Sequence, residues 1–184
     1  FFTEVATTGA VEEAFHWAKE HAVPVAVLGA GSNVLIADKG FAGLLIHMNM
    51  RHLSHKGELV LADAGVLMAQ VAAYALRHNL TGFEWAAGVP GTIGGSVYGN
   101  AGCFGGEMKD VIERVRVLRI MNHELRIMEN ETRELQSSEC EFGYRESIFK
   151  KRKYLIILGA TLKLKRISDE EKKQKQADLR YIMR

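Results

Sequence analysis

Half of the chain's eighteen glycines fall within the twenty-five residues from Gly82 to Gly106. Such density needs a reason, because an ordered glycine gives up more backbone freedom on folding than any other residue. The run Gly88-Val-Pro-Gly91-Thr-Ile-Gly94-Gly95-Ser-Val-Tyr-Gly99-Asn100-Ala-Gly102 also carries Val89, Ile93 and Val97. Those apolar residues favour a packed segment over a wide mobile loop. A ligand lying directly on the backbone accounts for the glycines.

A shorter glycine-rich stretch, Gly29-Ala30-Gly31-Ser32-Asn33, sits between the apolar runs Val25-Ala-Val-Leu28 and Val34-Leu-Ile36. Glycine lets successive backbone amides turn toward one anion, and Ser32 and Asn33 add side-chain donors. It is not a Walker loop, since no Gly-Lys-Ser/Thr follows. Nor is it the Rossmann fingerprint, since the third glycine is missing and a strand is expected next. A tight turn between strands is the plain alternative; the Ser-Asn pair favours a pyrophosphate. One large, flat, anionic ligand spanning both loops explains both.

The remaining patterns predict alternating helices and strands. An opening strand leads to a helix that Thr8 can cap, with the apolar stripe Val11, Ala14, Phe15 and Ala18. Val25 to Leu28 reads as a short buried strand, Val34 to Ile36 as a second and Leu44 to Ile46 as a third. A polar connector near residues 47–55 fits a subdomain boundary. Beyond it come a strand at 58–62 and a helix from about Val66 to His78. Paired strands are expected at 111–121 and 124–129, joined at Asn122-His123. A helix-like stretch at 131–135 and a long strand at 154–163 follow. Ser168, followed by Asp169, Glu170 and Glu171, starts a final helix.

Composition removes whole classes. With 47% apolar and 25% charged residues the chain matches soluble globular proteins, and a net charge of +2 gives no long-range pull toward nucleic acid. No apolar run approaches the roughly 20 residues of a membrane helix. Two cysteines 37 positions apart give neither a disulfide framework nor metal-ligand spacing. His47, His52 and His55 sit at spacings poor for a metal, and no metal is expected. The lysines between Lys163 and Lys175 read as a solvated helix face. Both ends read as cut: the first residues resemble mid-strand with no initiator methionine, and the last helix stops at Arg184 without glycine or proline. A piece of a longer protein is the expectation.

Four blocks occur in order: Leu28-Gly-Ala-Gly-Ser-Asn-Val-Leu35, Ala87-Gly-Val-Pro-Gly-Thr-Ile-Gly-Gly-Ser96, Asn100-Ala-Gly-Cys-Phe-Gly-Gly-Glu107 and Tyr144-Arg-Glu-Ser-Ile-Phe149. Together they resemble the UDP-N-acetylenolpyruvoylglucosamine reductase family, from about Phe2 to the terminal helix. The resemblance implies an α+β chain with the vanillyl-alcohol-oxidase (PCMH-type) FAD-binding fold, made of two α/β subdomains. Residues 1–53 would form the first, 54–167 the second, and 168–184 a helix leading to a substrate-binding domain outside this chain. It further implies bound FAD, NADPH as hydride donor, a UDP-sugar enolpyruvyl ether as substrate, and a monomeric bacterial cytoplasmic protein with no membrane or nucleic-acid partner.

Residue by residue, the resemblance gives Leu28, Gly29, Ala30, Gly31, Ser32, Asn33, Val34 and Leu35 to the pyrophosphate side of FAD. Val89, Pro90, Gly91, Gly94, Gly95 and Ser96 go to its flavin side, with Asn100, Ala101 and Gly102 continuing that wall. Arg145 matches the family's catalytic arginine, and Tyr144 joins it as a substrate contact. The family's proton-donating serine and catalytic glutamate have no match here. Ser147 reads as a loop hydrogen bond, Cys103 as a small packed side chain, and Cys140 as inert. Without the resemblance, Arg145 reads as a surface ion pair with Glu141 or Glu146. A different flavin oxidase of the same fold, or a non-catalytic FAD- or nucleotide-binding module, are the alternatives.

Overall fold

The computed structural model describes residues 1–120 and 129–182, with side chains as far as residue 175. Two sheets organise it. The first contains β1 (Phe2–Val5), β2 (Val25–Leu28) and β3 (Leu44–Met48), all parallel in the order β1-β3-β2, with α1 (Thr8–Glu20) packed on one face. Helix α1 starts one residue earlier than expected: Thr7 is the cap, its Oγ1 accepting from the Ala10 amide at 3.2 Å. The helix buries Val11, Ala14 and Ala18 of the stripe read from the sequence, and leaves Phe15 half-buried.

Two expectations fail in this sheet. Val34-Leu35-Ile36 forms no strand; residues 29–43 cross from β2 to β3 as an open loop with Leu35 100% exposed. Among the described residues the outer edges of β1 and β2 stay open, and the apolar triplet pairs with neither of them. Strand β2 is consequently an edge strand rather than a buried one, and Val27 is 42% exposed.

The second sheet is antiparallel, in the order β10-β9-β11-β5-β4. The hairpin of β4 (Leu53–Lys56) and β5 (Leu59–Asp63) turns at Gly57, and α2 (Met68–Arg77) follows. A short β6 (Leu80–Thr81) leads through a single 3₁₀ turn to α3 (Ile93–Tyr98). Two further two-residue strands, β7 (Gly102–Cys103) and β8 (Gly106–Glu107), make a tight hairpin. Then come β9 (Ile112–Arg119), β10 (Glu131–Gln136), α4 (Ile148–Lys151), β11 (Leu155–Lys163), β12 (Lys165–Arg166) and α5 (Asp169–Ile182). Strand β11 is central, and its residues Leu155 to Leu162 are all buried.

The stretch read as helix-like at 131–135 is β10. It pairs with β9 in a register that sets Glu134 opposite Arg116 and Glu131 opposite Arg119. The ion pairs Arg114–Glu134 at 3.3 Å and Arg119–Glu131 at 3.6 Å bridge the two strands. An exposed, charged sequence with no apolar period takes its structure from the edge it meets. Most of the strand expected at 124–129, with the Asn122-His123 turn, lies outside the described residues.

Candidate functional site

The two glycine-rich segments meet. Ser32 donates from Oγ to the Pro90 carbonyl at 2.9 Å, joining the β2–β3 loop of the first sheet to the chain entering α3. A Cβ on Gly29 would run into Thr92 Oγ1, and one on Gly91 would lie 3.3 Å from Ser32 Oγ. Gly91 also has φ +140, a conformation that only glycine adopts readily. The Gly91 carbonyl accepts from Met68 N at 3.0 Å, while Ile93 N donates to Val66 O at 2.9 Å, so the segment is anchored on the start of α2. Of the first loop, Leu28, Gly29 and Gly31 are half-buried, whereas Ala30, Ser32, Asn33, Val34 and Leu35 face solvent.

Part of the glycine density serves packing. Residues 93–98 are the helix α3, capped by Thr92, with Ile93, Ser96 and Val97 buried. Gly94 lies against Ala64: a Cβ there would come to 2.9 Å from the Ala64 Cβ, and its amide donates to Ala64 O at 2.9 Å. Gly95 and Pro90 are exposed, Val89 and Ala101 half-buried. The expected cofactor wall is thus divided, with Gly94 and Ser96 turned to the core and Pro90, Gly91 and Gly95 left at the seam.

Asn100, Gly102, Tyr144 and Arg145 line a cleft of about 240 Å³ with Cys103, Phe104, Glu107 and the hairpin glycines. Tyr144 and Arg145 sit at the tip of a four-residue turn closed by Gly143 N to Glu146 O at 3.0 Å and Glu146 N to Gly143 O at 3.2 Å. Arg145 takes φ +54 there; its Nη2 donates to Gly102 O at 3.3 Å, and its guanidinium carbon lies 6.0 Å from the centre of the Tyr144 ring. Among the described residues no carboxylate pairs with it: Glu141 binds Lys151 and Arg152, and Glu146 binds Lys150. The surface-pair reading is therefore replaced by a cation at the edge of a cleft. Ser147 is fully buried and donates to Tyr98 O at 2.6 Å, the loop hydrogen bond expected of it.

Cys103 faces the cleft half-exposed, where the sequence suggested a packed side chain. Residues 47, 52 and 55, the expected non-site histidines, go to separate partners: Glu4, Ser54 and Tyr74. Sequence reasoning passed over Glu107. Its carboxyl is held below the usual range by Lys109 and by the Asn100 amide, with a smaller contribution from the charge of Arg145. The Gly-Gly-Glu ending of the third block was its only signal. Phe104, 77% exposed at φ +50 on the hairpin tip, was also missed.

These features define a class of protein: two sheets joined at a seam of glycine backbone, with a cleft lined by Arg145 and Glu107, in the vanillyl-alcohol-oxidase type of α+β FAD-binding fold. Residues 1–125 match the family described as FAD binding domain, and the chain belongs to that family. It is 38% identical over 162 residues to the UDP-N-acetylenolpyruvoylglucosamine reductase of Caldanaerobacter subterraneus subsp. tengcongensis, covering 88% of this chain and 51% of the relative. It is 42% identical over 148 residues to the Clostridium perfringens reductase, covering 79% and 45%. The chain thus spans about half the length of the curated relatives it matches.

Among solved structures, the Thermus caldophilus UDP-N-acetylenolpyruvylglucosamine reductase superposes with TM-score 0.77 at 29% identity, over 98% of this chain and 61% of that one. Cholesterol oxidase from Brevibacterium sterolicum, at TM-score 0.65 and 13% identity over 90% and 34%, shares the fold. The residues present fit FAD. Bare loop backbone and the Ser32 and Asn33 side chains suit a pyrophosphate. Val34, Leu35 and Ile36, which follow on the same loop, are exposed.

Proposed function

We propose that the chain is the FAD-holding part of an oxidoreductase that reduces a UDP-N-acetylglucosamine enolpyruvyl ether to the lactyl ether of UDP-N-acetylmuramate. NADPH is the proposed electron source, and the setting a bacterial cytoplasm in which peptidoglycan precursors are made. The cofactor, when bound, supplies the hydride chemistry. The protein supplies binding and charge. Gly29 to Leu35 and Val89 to Gly91 hold the cofactor along the seam, with Gly95 at its edge. Tyr144 flanks the substrate, and Arg145 faces its carboxylate.

One observation carries this reading: among the described residues no carboxylate is paired with Arg145, which lies at the edge of the cleft. Adding hydride to a double bond conjugated with a carboxylate pushes negative charge onto that carboxylate. A guanidinium already in place stabilises that charge without reorganisation, and its two-pronged geometry suits carboxylate oxygens. Glu146 takes Lys150, and Glu141 takes Lys151 and Arg152, which leaves Arg145 available.

The test is R145K, assayed in the protein as its gene encodes it. FAD uptake is expected to be unchanged, because the seam residues are untouched. Turnover of the enolpyruvyl sugar nucleotide is expected to fall by roughly 10²-fold or more, the usual cost of losing one charge-stabilising donor. Native turnover would remove Arg145 from the reaction, and loss of FAD would assign it to the cofactor instead. The 184 residues by themselves are proposed to act as a monomer that binds FAD and stops short of turnover, since Arg145 is the one catalytic group matched in them.

A further inference from the structure

We propose that Asn100 is a positioning residue for Arg145: its side-chain amide, oriented by Glu107, holds the turn that carries the guanidinium. The inference rests on the reading of Arg145 given above. Asn100 is 2% exposed and has φ +42. Its three side-chain hydrogen bonds reach two segments, the Glu107–Lys109 stretch and the turn at Gly143. Oδ1 accepts from the Lys109 amide at 3.0 Å, while Nδ2 donates to Glu107 Oε2 and to the Gly143 carbonyl, both at 2.8 Å. The orientation is fixed by chemistry: a backbone N–H must meet the oxygen, so the amino group must face the two acceptors.

That arrangement spends both amino hydrogens of the Asn100 side chain within the protein. One of them holds the Gly143 carbonyl, which also closes the turn by accepting from Glu146 N. From the other side, Lys150 Nζ donates to the Arg145 carbonyl at 2.6 Å. The turn is therefore gripped at both ends of the Tyr144-Arg145 pair, while the guanidinium itself has the 3.3 Å contact to Gly102 O and the Tyr144 ring beside it. Backbone position, and not an ion pair, sets where the charge sits. Three non-glycine residues with left-handed backbone, Asn100, Phe104 and Arg145, border this one cleft. Such conformations persist where surrounding structure imposes them, and they cluster at functional sites.

Asn100 has a second effect on charge. Glu107 lines the cleft with Arg145. By donating to its carboxylate together with Lys109, Asn100 keeps Glu107 engaged. Without the amide, Glu107 is released next to an unpartnered arginine and neutralises it.

N100D in the intact flavin-loaded protein tests this. The new carboxylate would face the Glu107 carboxylate and the Gly143 carbonyl with no proton to offer, so the turn loses its hold when both carboxylates are ionised. Two carboxyls in contact share a proton on acidification, which restores a donor. The charged groups around the position are Glu107 on β8, Lys109 and Asp110 on the following turn, Arg145 and Glu146 on the Tyr144-Arg145 turn, and Lys150 on α4. Turnover at pH 8, as a ratio to the unsubstituted protein, is expected to fall by roughly 10²-fold, the scale of a small misplacement of a reacting group. The ratio should climb back as pH is lowered toward about 5.5, while N100A gives a deficit that stays flat with pH. FAD uptake should be unchanged in both.

A native ratio at pH 8, a deficit in N100D as flat as that of N100A, or loss of FAD uptake in both variants would each overturn the proposal. Native turnover of R145K is a different failure: it removes the reading of Arg145 and is seen without any substitution at Asn100.

Discussion

Cys140 and Cys103 differ in a way that a thiol reagent reads directly. Cys140 is fully buried, donates to the Gln136 carbonyl at 3.4 Å, and burial, with the nearby Glu139 charge, pushes its thiol up to about 12. Cys103 lies half-exposed at the cleft. One thiol per chain is expected to react with a disulfide reagent at pH 8 in the folded state, and two after unfolding. Rapid reaction of both in the folded state would show that the sheet edge over Cys140 opens. The cysteine spacing indicated no metal and no disulfide; which thiol meets solvent depended on the packing of β9, β10 and α4. Glycine positions were readable in the same partial way. Density marked the region, yet only contacts separate Gly94, which lets α3 approach Ala64, from Gly91, which turns the chain at the seam.

At the scale of elements, α5 shows how a local signal and a tertiary contact combine. Ser168 and Glu171 form a reciprocal cap: Ser168 N donates to Glu171 Oε2 at 2.9 Å, and Glu171 N donates to Ser168 Oγ at 3.3 Å. The pattern was legible because it closes within four residues. The lysines of this region are not merely solvated as expected, since Lys172 donates to Arg77 O at 2.9 Å and to Asn79 Oδ1 at 2.8 Å. The backbone and side-chain hydrogen bonds from Ser168 lower the Glu171 carboxyl below its ordinary 4.5. A depressed carboxyl stabilises the fold above its unfolded value and loses that contribution as pH falls through the folded one. The start of α5 is therefore expected to hold above about pH 4.5 and to loosen below it, as read by amide exchange of residues 169–172. S168A should weaken the same amides at neutral pH by about 1 kcal/mol, and unchanged protection would show that docking alone holds the helix. Strand β10 is the opposite case: its sequence carries no local preference strong enough to resist the open edge of β9.

For the whole molecule, the seam between the sheets is the feature on which the proposed cofactor seat depends. FAD that binds only the folded chain must raise the unfolding free energy with the logarithm of free FAD, by about 2.7 kcal/mol at a hundredfold excess over the dissociation constant, and the melting temperature rises with it. Added FAD is expected to give this rise in the 184 residues, with flavin absorbance that survives desalting. No rise at millimolar FAD would mean that the Ser32–Pro90 junction does not form a cofactor seat by itself. Removing the junction with S32A should lower the rise and leave the melting temperature without FAD nearly unchanged, because Ser32 is exposed and makes one hydrogen bond across the seam.

The sequence by itself determined the local elements and the chemistry on offer: the stripe of α1, the cap of α5, the buried run of β11, the two glycine-rich segments and the Tyr144-Arg145 pair. Each depends on residues close along the chain, where periodicity, capping and backbone freedom act without knowledge of the rest. Tertiary structure decided that Val34 to Ile36 stays out of the sheet, that 131–136 is a strand, and that Gly94 packs. It also decided that Asn100 reaches across forty-three positions to Gly143. Those outcomes turn on which sheet edges are free and which groups arrive from distant segments, and a short stretch of sequence carries no information about either.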